Sequence, residues 1–294
     1  MHKNNKHQKG YDFKVLTHAV TELTPFVFEN QYGITTIDFG NPKAVKTLNQ
    51  AILKSYYDID YWEFSDQNLC PPIPGRVDYI HHLADLLKVL RLKSPIKALD
   101  LGTGATCIYP LLGHSEYNWS FVATDIDTIA LKNAQIIINK NNLSGRIEFR
   151  LQSHKTQILK GILKSSDRFT VSMCNPPFFK SEQDALAATM RKLSGLGKAQ
   201  TQPIRNFSGT AHELWYEGGE KAFLHTYLYE SSLFKTNCFW YTSLVSNKDL
   251  VKSMQKSLKK LGATDVKVIN MQLGNKISRV VAWTFLTEEQ RKDW

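Results

Sequence analysis

Short apolar segments alternate with longer amphipathic segments after residue 70, and this alternation constrains the fold more than any other feature of the chain. The short segments have strand character: IKALDLG, WSFVATDID, RIEFRLQ, RFTVSMC, CFWYTSLV, DVKVIN and SRVVAWTF. The longer segments have helical spacing: VDYIHHLADLLKVL, TIALKNAQIIINKNNL, EKAFLHTYLYESSLF and KDLVKSMQKSLKKLG. A β-α-β order implies a mostly parallel, doubly wound sheet with helices on both faces, so we predict an α/β domain over residues 71–294.

Residues 1–70 follow a different pattern. GITTIDF alternates like a strand, and Asn41 followed by Pro42 predicts the cap and the first turn of a helix through KAVKTLNQAIL. CPPIPGR then breaks the chain. We therefore predict a small α+β N-terminal extension that precedes the α/β domain.

The chain carries an excess of positive charge that suits a polyanionic partner. Lys and Arg number 37 against 27 Asp and Glu, which leaves a formal net charge of +10. Basic residues are grouped in two segments with almost no acid: Lys3, Lys6, Lys9 and Lys14 in the first, and Arg191, Lys192, Lys198 and Arg205 in the second. We expect two mobile basic arms that bind nucleic acid, with solvated surface as the alternative for either segment taken alone.

Several other classes of protein are disfavoured by the composition. No apolar run approaches the roughly 20 residues that cross a bilayer, and the basic N-terminus is not followed by the apolar part of a secretory signal. The cysteines are far apart and in no metal-binding spacing: Cys70, Cys107, Cys174 and Cys238. We expect a soluble cytoplasmic protein with free thiols and no metal.

Candidate ligand-binding residues follow the first and second strands of the predicted sheet, near its switch point. Gly102 and Gly104 allow a tight turn close to a ligand, but a dinucleotide site would need a third glycine where Cys107 stands. Asp125 follows about 20 residues later and can accept hydrogen bonds from both hydroxyls of a ribose. Asp100 can hold the loop or an ammonium group. This spacing favours S-adenosylmethionine as the cofactor.

The fourth strand ends in NPPF, a sequence suited to an exocyclic amine. The side-chain oxygen of Asn175 and the carbonyl of Pro176 can accept the two amine hydrogens and hold the nitrogen toward a methyl donor. Pro176 and Pro177 fix φ and stiffen the turn, and Phe178 can stack on an extruded base. The same residues in isolation could form only a turn with core phenylalanines. Combined with the glycine loop, they predict a methyltransferase.

Longer motifs make the prediction more specific. LCPPIPGRVDYIHHLADLL, DLGTGATCIYPLLG, MCNPPFF and EGGE resemble the bacterial 23S rRNA adenine-N6 methyltransferase family of RlmF type, which has a eukaryotic relative that methylates structured RNA. The resemblance extends to GYDF and TIDFGNPKAVKTLN in the extension. It implies a Rossmann-like class I S-adenosylmethionine-dependent methyltransferase fold.

The resemblance also implies roles for particular residues. Arg76 and Thr106 would contact the methionine part of the cofactor. Asp125 would hold the ribose, Thr156 would lie near the adenine, and residues 175–178 would form the catalytic face.

We therefore predict an enzyme that methylates the N6 amine of an adenosine in 23S rRNA, as naked RNA or within a partly assembled large subunit. Residues 1–70 would bind RNA, and the protein would be a monomer without a metal or a membrane. The same chemistry on a protein glutamine amide or on DNA adenine is an alternative. A catalytically idle RNA-binding protein is another, against which the intact Asn175 and Asp125 weigh.

Overall fold

The computed structural model describes residues 1–88, 90, 95–181, 183–184, 214–273 and 276–294. The strands in these ranges are β1 (Val27–Glu29), β2 (Thr35–Ile37), β3 (Lys97–Leu101), β4 (Ser120–Asp125), β5 (Ile147–Leu151), β6 (Phe169–Cys174), β7 (Cys238–Val245), β8 (Asp265–Leu273) and β9 (Lys276–Thr284). The α-helices are α1 (Phe13–Ala19), α2 (Pro42–Tyr57), α3 (Ile73–Lys88), α4 (Ile108–Tyr117), α5 (Thr128–Lys140), α6 (Gly219–Ser231), α7 (Lys248–Leu261) and α8 (Glu288–Lys292). A 3₁₀ helix over Thr21–Phe26 follows α1.

Seven of the strands form one sheet in the order β5-β4-β3-β6-β7-β9-β8, and β1 and β2 form a separate antiparallel hairpin. The strands from β5 to β7 in this order are parallel, and β9 runs antiparallel to both β7 and β8. The strand order reverses between β3 and β6, so the carboxyl ends of β3, β4 and β6 surround a switch point. The prediction of a doubly wound, mostly parallel sheet is confirmed.

Helices cover both faces of the sheet. All six residues of β6 are buried, as expected for a strand with packing on both sides. One hydrophobic core joins residues of α2, α3, α4 and α5 to one face, and a second joins α6 and α7 to the other. No helix in the described ranges is both long and apolar enough to cross a membrane.

The helix predicted in the extension is confirmed, but the following helix begins earlier than the sequence predicted. The side chain of Asn41 accepts hydrogen bonds from two backbone N–H groups of α2, and Pro42 is the first residue of that helix. The predicted break at CPPIPGR is wrong in its second half, because α3 begins at Ile73 and includes Pro74 and Arg76. A proline is tolerated there because N–H groups in the first turn have no helical partner. The sequence reading omitted α4.

The first ten residues pack against α3, so the prediction of a mobile arm is wrong for them. His2, Asn5 and His7 are buried. The Lys6 ammonium lies 2.6 Å from a carboxylate oxygen of Glu116 in α4. One core runs from the extension into α3, α4 and α5, so residue 70 does not separate two cores.

Asp78 of α3 is the polar centre of this packing. One of its oxygens accepts the backbone N–H of His2 at 2.7 Å and the side-chain amide of Asn5 at 2.9 Å. Its other oxygen lies 3.6 Å from the ring of His82. Burial alone would raise the pKa of Asp78, but the nearby His82 ring and the hydrogen bonds from His2 and Asn5 outweigh it and lower the pKa to about 2.

Replacing Asp78 should therefore detach the N-terminal segment. Asp78→Ala leaves two buried N–H donors without an acceptor, so we expect about 2 kcal/mol of lost stability at pH 7. The lowered pKa means that the stabilisation is complete above pH 3.8 and is lost as pH falls toward 2. Urea unfolding of both proteins as a function of pH measures this.

Asp85→Ala is the matched control for this test. Asp85 also contacts His2, with 3.0 Å between the carboxylate oxygen and the ring nitrogen, but its side chain is 47% exposed. Its loss should cost less than about 1 kcal/mol. Equal losses for the two variants would contradict the role assigned to Asp78.

Candidate active site

A cavity lies at the carboxyl ends of β3, β4 and β6. The wall on the side of β3 and β4 includes Gly102, Thr103, Gly104, Thr106, Asp125, Ile126 and Gln152. The wall on the side of β6 includes Cys174, Asn175, Pro177, Trp215, Tyr216 and Phe223. Arg76 and Tyr109 also line the cavity. The residues predicted from three separate strand ends are thus brought to one space.

The loop after β3 is folded tightly against the end of β4. The backbone N–H groups of Gly102 and Thr103 both donate to the carbonyl of Thr124 at 2.9 Å. Gly102 and Gly104 have φ of 76° and 65°, a conformation that favours glycine. Cys107, which stands in place of a third glycine, also has positive φ, at 48°.

The carboxylate of Asp125 joins this loop to the second strand. Its Oδ2 accepts the N–H of Gly104 at 2.8 Å, and its Oδ1 accepts the N–H of Asp127 at 3.0 Å. Burial raises the pKa of Asp125, while these hydrogen bonds lower it in part. Each carboxylate oxygen retains a lone pair that can accept a further hydrogen bond from a ligand.

Asp100 lies below the loop and is fully buried. Neither of its oxygens has a hydrogen-bond partner within the described residues. Burial raises the pKa of Asp100 to about 7, with opposing effects from Thr103 and Arg76 and a further rise from Asp125. A buried carboxyl without a partner suits a cationic ligand group, because that group would restore the lost solvation of the charge.

Arg76 is held in the first turn of α3 by an aromatic side chain. Its Nη1 donates to the hydroxyl of Tyr109 at 2.8 Å, and the guanidinium lies 5.4 Å from the centre of that ring. The Nε of Arg76 is buried and has no acceptor within the described residues. This unused donor can serve a carboxylate.

The extension supports the glycine loop through contacts that the sequence reading missed. The indole N–H of Trp62 donates to the carbonyl of Thr106 at 2.9 Å. The side-chain amide of Asn133 in α5 donates to the carbonyls of Ala105 and Glu63 at 2.8 and 2.9 Å. No local motif marks these residues, since their role depends on segments more than 25 residues apart.

The NPPF segment leaves the end of β6 and borders the cavity. Asn175 and Pro177 line it, and Asn175 is half-buried. Pro176 is buried, and the ring of Phe178 is 43% exposed. Phe179 pairs with Trp215 in an isolated bridge. The segment thus offers an amide that lines the cavity and an exposed aromatic side chain.

The last two residues of the EGGE motif begin α6 beside the site. Glu220 is buried and accepts hydrogen bonds from the backbone N–H and the hydroxyl of Ser246, which follows β7. Gly219 has φ of 69°, and a Cβ there would lie 2.9 Å from the side chain of Lys180. The motif therefore packs against the residues that follow β7 and NPPF.

Other predicted site residues lie outside the cavity. Thr156 is exposed, and its neighbours Lys155 and Gln157 line the cavity instead. Four predicted basic residues are exposed on the N-terminal part of the chain: Lys3, Lys6, Lys9 and Lys14. Four others lie outside the described residues: Arg191, Lys192, Lys198 and Arg205. In the part of the chain that is described, no group of His, Cys, Asp and Glu is arranged to hold a metal.

Comparison with known proteins decides the family. A family model described as RNA methyltransferase matches residues 1–287. The chain belongs to this RNA methyltransferase family. It is 48% identical over 299 residues to the Ribosomal RNA large subunit methyltransferase F of Pseudomonas syringae, covering 99% of this chain and 91% of that protein. It is 47% identical over 303 residues to the enzyme of the same name from Flavobacterium johnsoniae, covering 100% and 96%.

Solved structures of METTL16 share the fold of this RNA methyltransferase. The hMettl16 catalytic domain in complex with MAT2A 3'UTR hairpin 1 has a TM-score of 0.81 and 28% identity, covering 98% of this chain and 96% of that chain. The N-terminal domain of human METTL16 in complex with SAH has a TM-score of 0.78 and 25% identity, covering 98% and 99%. The predicted family, the class I methyltransferase fold and the enzymatic class are confirmed.

The raised pKa of Asp100 makes a testable contribution to stability. Folding raises the pKa of the Asp100 carboxyl from 3.8 to about 7, so between these pH values the carboxyl is ionised in the unfolded chain and protonated in the folded protein. The free energy of unfolding therefore falls as pH rises through this range. Asp100→Asn removes that loss of stability. We expect the variant to gain stability relative to the wild type between pH 5 and pH 8, on the order of 1 to 4 kcal/mol.

Urea unfolding of both proteins at the two pH values measures the difference. A stability difference that does not change with pH would mean that Asp100 is ionised in the free protein throughout this range.

Proposed function

We propose that this RNA methyltransferase transfers a methyl group from S-adenosylmethionine to the N6 amine of an adenosine in large-subunit ribosomal RNA, in the cytoplasm. The observation that carries the proposal is the position of Asn175, which lines the same cavity as the glycine loop and Asp125. The family match and the relatives named for large-subunit ribosomal RNA support the acceptor.

The residues around the cavity fit the cofactor. Asp125 would accept hydrogen bonds from the ribose through its free lone pairs. Asp100 is buried and directly precedes the lining residues Leu101 and Gly102, and its oxygens have no partner among the described residues, so it would hold the ammonium end. Arg76 would hold the carboxylate. When bound, the cofactor supplies an electrophilic methyl group on a sulfonium. Thr106 lies in the same wall, whereas the neighbours of Thr156 would serve the adenine side.

Asn175 and Pro176 would activate the acceptor amine by hydrogen bonding. The lone pair of an adenine amine is delocalised into the ring, so the nitrogen is a poor nucleophile. The Asn175 side-chain oxygen and the Pro176 carbonyl would accept its two hydrogens and fix the nitrogen toward the methyl group. Pro176 and Pro177 limit the backbone freedom of this turn, so the two acceptors are held in place before the base arrives.

Phe178 would receive the base after it leaves its stack. The residue is 43% exposed and directly follows Pro177, which lines the cavity. Stacking on an aromatic side chain is worth roughly 1–3 kcal/mol and partly offsets the cost of extruding a base.

Basic residues would hold the flanking RNA, and the protein would act as a monomer. Lys3, Lys9 and Lys14 are exposed and make no ion pair within the described residues. The proposed contribution of the segment that contains Arg191 to Arg205 rests on its charge and on its position between NPPF and EGGE in the sequence. The substrate would be 23S rRNA or a partly assembled large subunit.

Asn175→Ala should separate catalysis from binding. It removes an acceptor that matters most as the amine becomes positively charged, so turnover should fall on the order of 100- to 1,000-fold. Cofactor affinity should change little, because Asn175 lies on the β6 side of the cavity. Single-turnover methylation of a ribosomal RNA fragment and calorimetry with S-adenosylhomocysteine measure the two quantities.

Asp125→Ala provides the opposite control, since it should weaken cofactor binding at unchanged RNA affinity. If Asn175→Ala kept near-normal turnover, NPPF would be a structural turn and the proposed chemistry would be wrong.

The exposed lysines of the N-terminal segment should act through counterion release. Replacing Lys3, Lys9 and Lys14 with alanine should weaken RNA binding and reduce the slope of log affinity against log salt by about 0.7 to 0.9 for each lost phosphate contact. Lys6→Ala is the matched control, because Lys6 is engaged with Glu116 and should chiefly affect stability. Filter binding between 50 and 300 mM salt measures the RNA affinity and its salt dependence. An unchanged slope in the triple variant would mean that the RNA binds to another part of the surface.

A further inference from the structure

The indole N–H of Trp215 is an unused hydrogen-bond donor in the wall of the catalytic cavity. It is buried and has no acceptor within the described residues, although the residue lines the cavity. A buried N–H without a partner costs free energy in the free protein. The cost is recovered if a ligand places an acceptor opposite this nitrogen.

The backbone around Trp215 fixes it next to the catalytic segment. The N–H of Phe179 donates to the carbonyl of Leu214, and the N–H of Tyr216 donates to the carbonyl of Phe179, both at 3.1 Å. Trp215 is therefore paired with the residue that directly follows NPPF. This position is on the β6 side of the cavity, next to the segment that would receive the acceptor base.

The neighbours of Trp215 favour a flat heteroaromatic ligand. Pro177, Tyr216 and Phe223 line the same part of the cavity, and the rings of Tyr216 and Phe223 meet edge to face with 5.3 Å between their centres. Such walls recognise a planar ring by packing, but they offer few donors to read its edge. The Trp215 N–H provides one donor among them.

An unpartnered indole N–H is not by itself evidence of a ligand, and Trp240 illustrates this. Its N–H also has no acceptor in the described ranges, but the residue is 2% exposed in the core, with Lys267 and Arg291 over its ring. It does not line the cavity. The position of Trp215, and not its unpaired state alone, points to a ligand.

We propose that the Trp215 N–H donates a hydrogen bond to one of the two ring nitrogens that flank the adenine amine, N1 or N7. The inference rests on the proposed function, because it assigns this donor to the acceptor base. With Asn175 and Pro176 accepting from the amine, the site reads adjacent donor and acceptor groups on one edge of the base. Guanine and uracil carry a carbonyl oxygen in place of this amine, so neither presents the same pair of groups.

Substrates that lack single ring nitrogens test this directly. RNA hairpins that carry adenosine, 1-deazaadenosine, 7-deazaadenosine or 3-deazaadenosine at the target position are methylated by the wild type and by Trp215→Phe. On adenosine, Trp215→Phe should lower kcat/KM about tenfold. Either 1-deazaadenosine or 7-deazaadenosine should lower the kcat/KM of the wild type by a similar factor. The same substrate should cause little further loss in Trp215→Phe, because that variant already lacks the hydrogen bond.

The ratio of wild type to variant on each substrate cancels changes in the reactivity of the amine. 3-Deazaadenosine is the control, because N3 does not flank the amine and its removal should lower both proteins equally. Trp240→Phe makes the same substitution in the core and should leave kcat/KM unchanged even if it lowers the melting temperature. The affinity for S-adenosylhomocysteine should be the same in Trp215→Phe and in the wild type.

Three results would overturn the inference. The first is a Trp215→Phe variant that methylates adenosine with the same kcat/KM as the wild type. The second is a variant in which both flanking deaza substitutions lower kcat/KM by the same factor as in the wild type. The third needs no variant and consists of equal wild-type kcat/KM for all four hairpins. Absence of N6-methyladenosine in wild-type reactions would instead contradict the proposed function itself, and this inference with it.

Discussion

The site depends on the carboxylate of Asp125, which holds two strand ends together. Its two oxygens accept N–H groups from the loop after β3 and from the start of α5. Because β3 and β4 are parallel neighbours, their carboxyl ends emerge at the same edge, and this one side chain sets the separation of the loops that follow. Asp125 also lines the cavity, so the group that organises the loop can accept a further hydrogen bond from a ligand.

The N-terminal extension is part of this site as well as a candidate RNA-binding region. Trp62 holds the carbonyl of Thr106, and residues 1–10 pack on α3, the helix that carries Arg76. A mobile basic arm could bind RNA but could not position a loop. The buried contacts of His2, Asn5 and Asp78 make the segment rigid enough to do so.

Some of the buried polar groups without partners lie in the cavity wall or next to it. Within the described residues, both oxygens of Asp100, the Nε of Arg76 and the indole N–H of Trp215 are buried without hydrogen bonds. Each lowers the stability of the free protein, since desolvation is not compensated. A fold tolerates such groups where a ligand restores their hydrogen bonds, and the lost stability then becomes binding energy and selectivity.

The sequence by itself determined the doubly wound fold, the glycine loop, Asp125 and NPPF, because each depends on local spacing that only one arrangement of strands and turns satisfies. Tertiary structure alone decided the contacts of Trp62 and Asn133, whose partners are distant in the chain and leave no periodic signal, and it alone placed Trp215 in the cavity wall. It also reversed the reading of residues 1–10. Their charge suggests a solvated arm, but the burial of His2 and Asn5 against Asp78 depends on a surface of α3 more than 70 residues away. Charge can be read from composition, whereas the partner that buries a polar side chain exists only after the chain has folded.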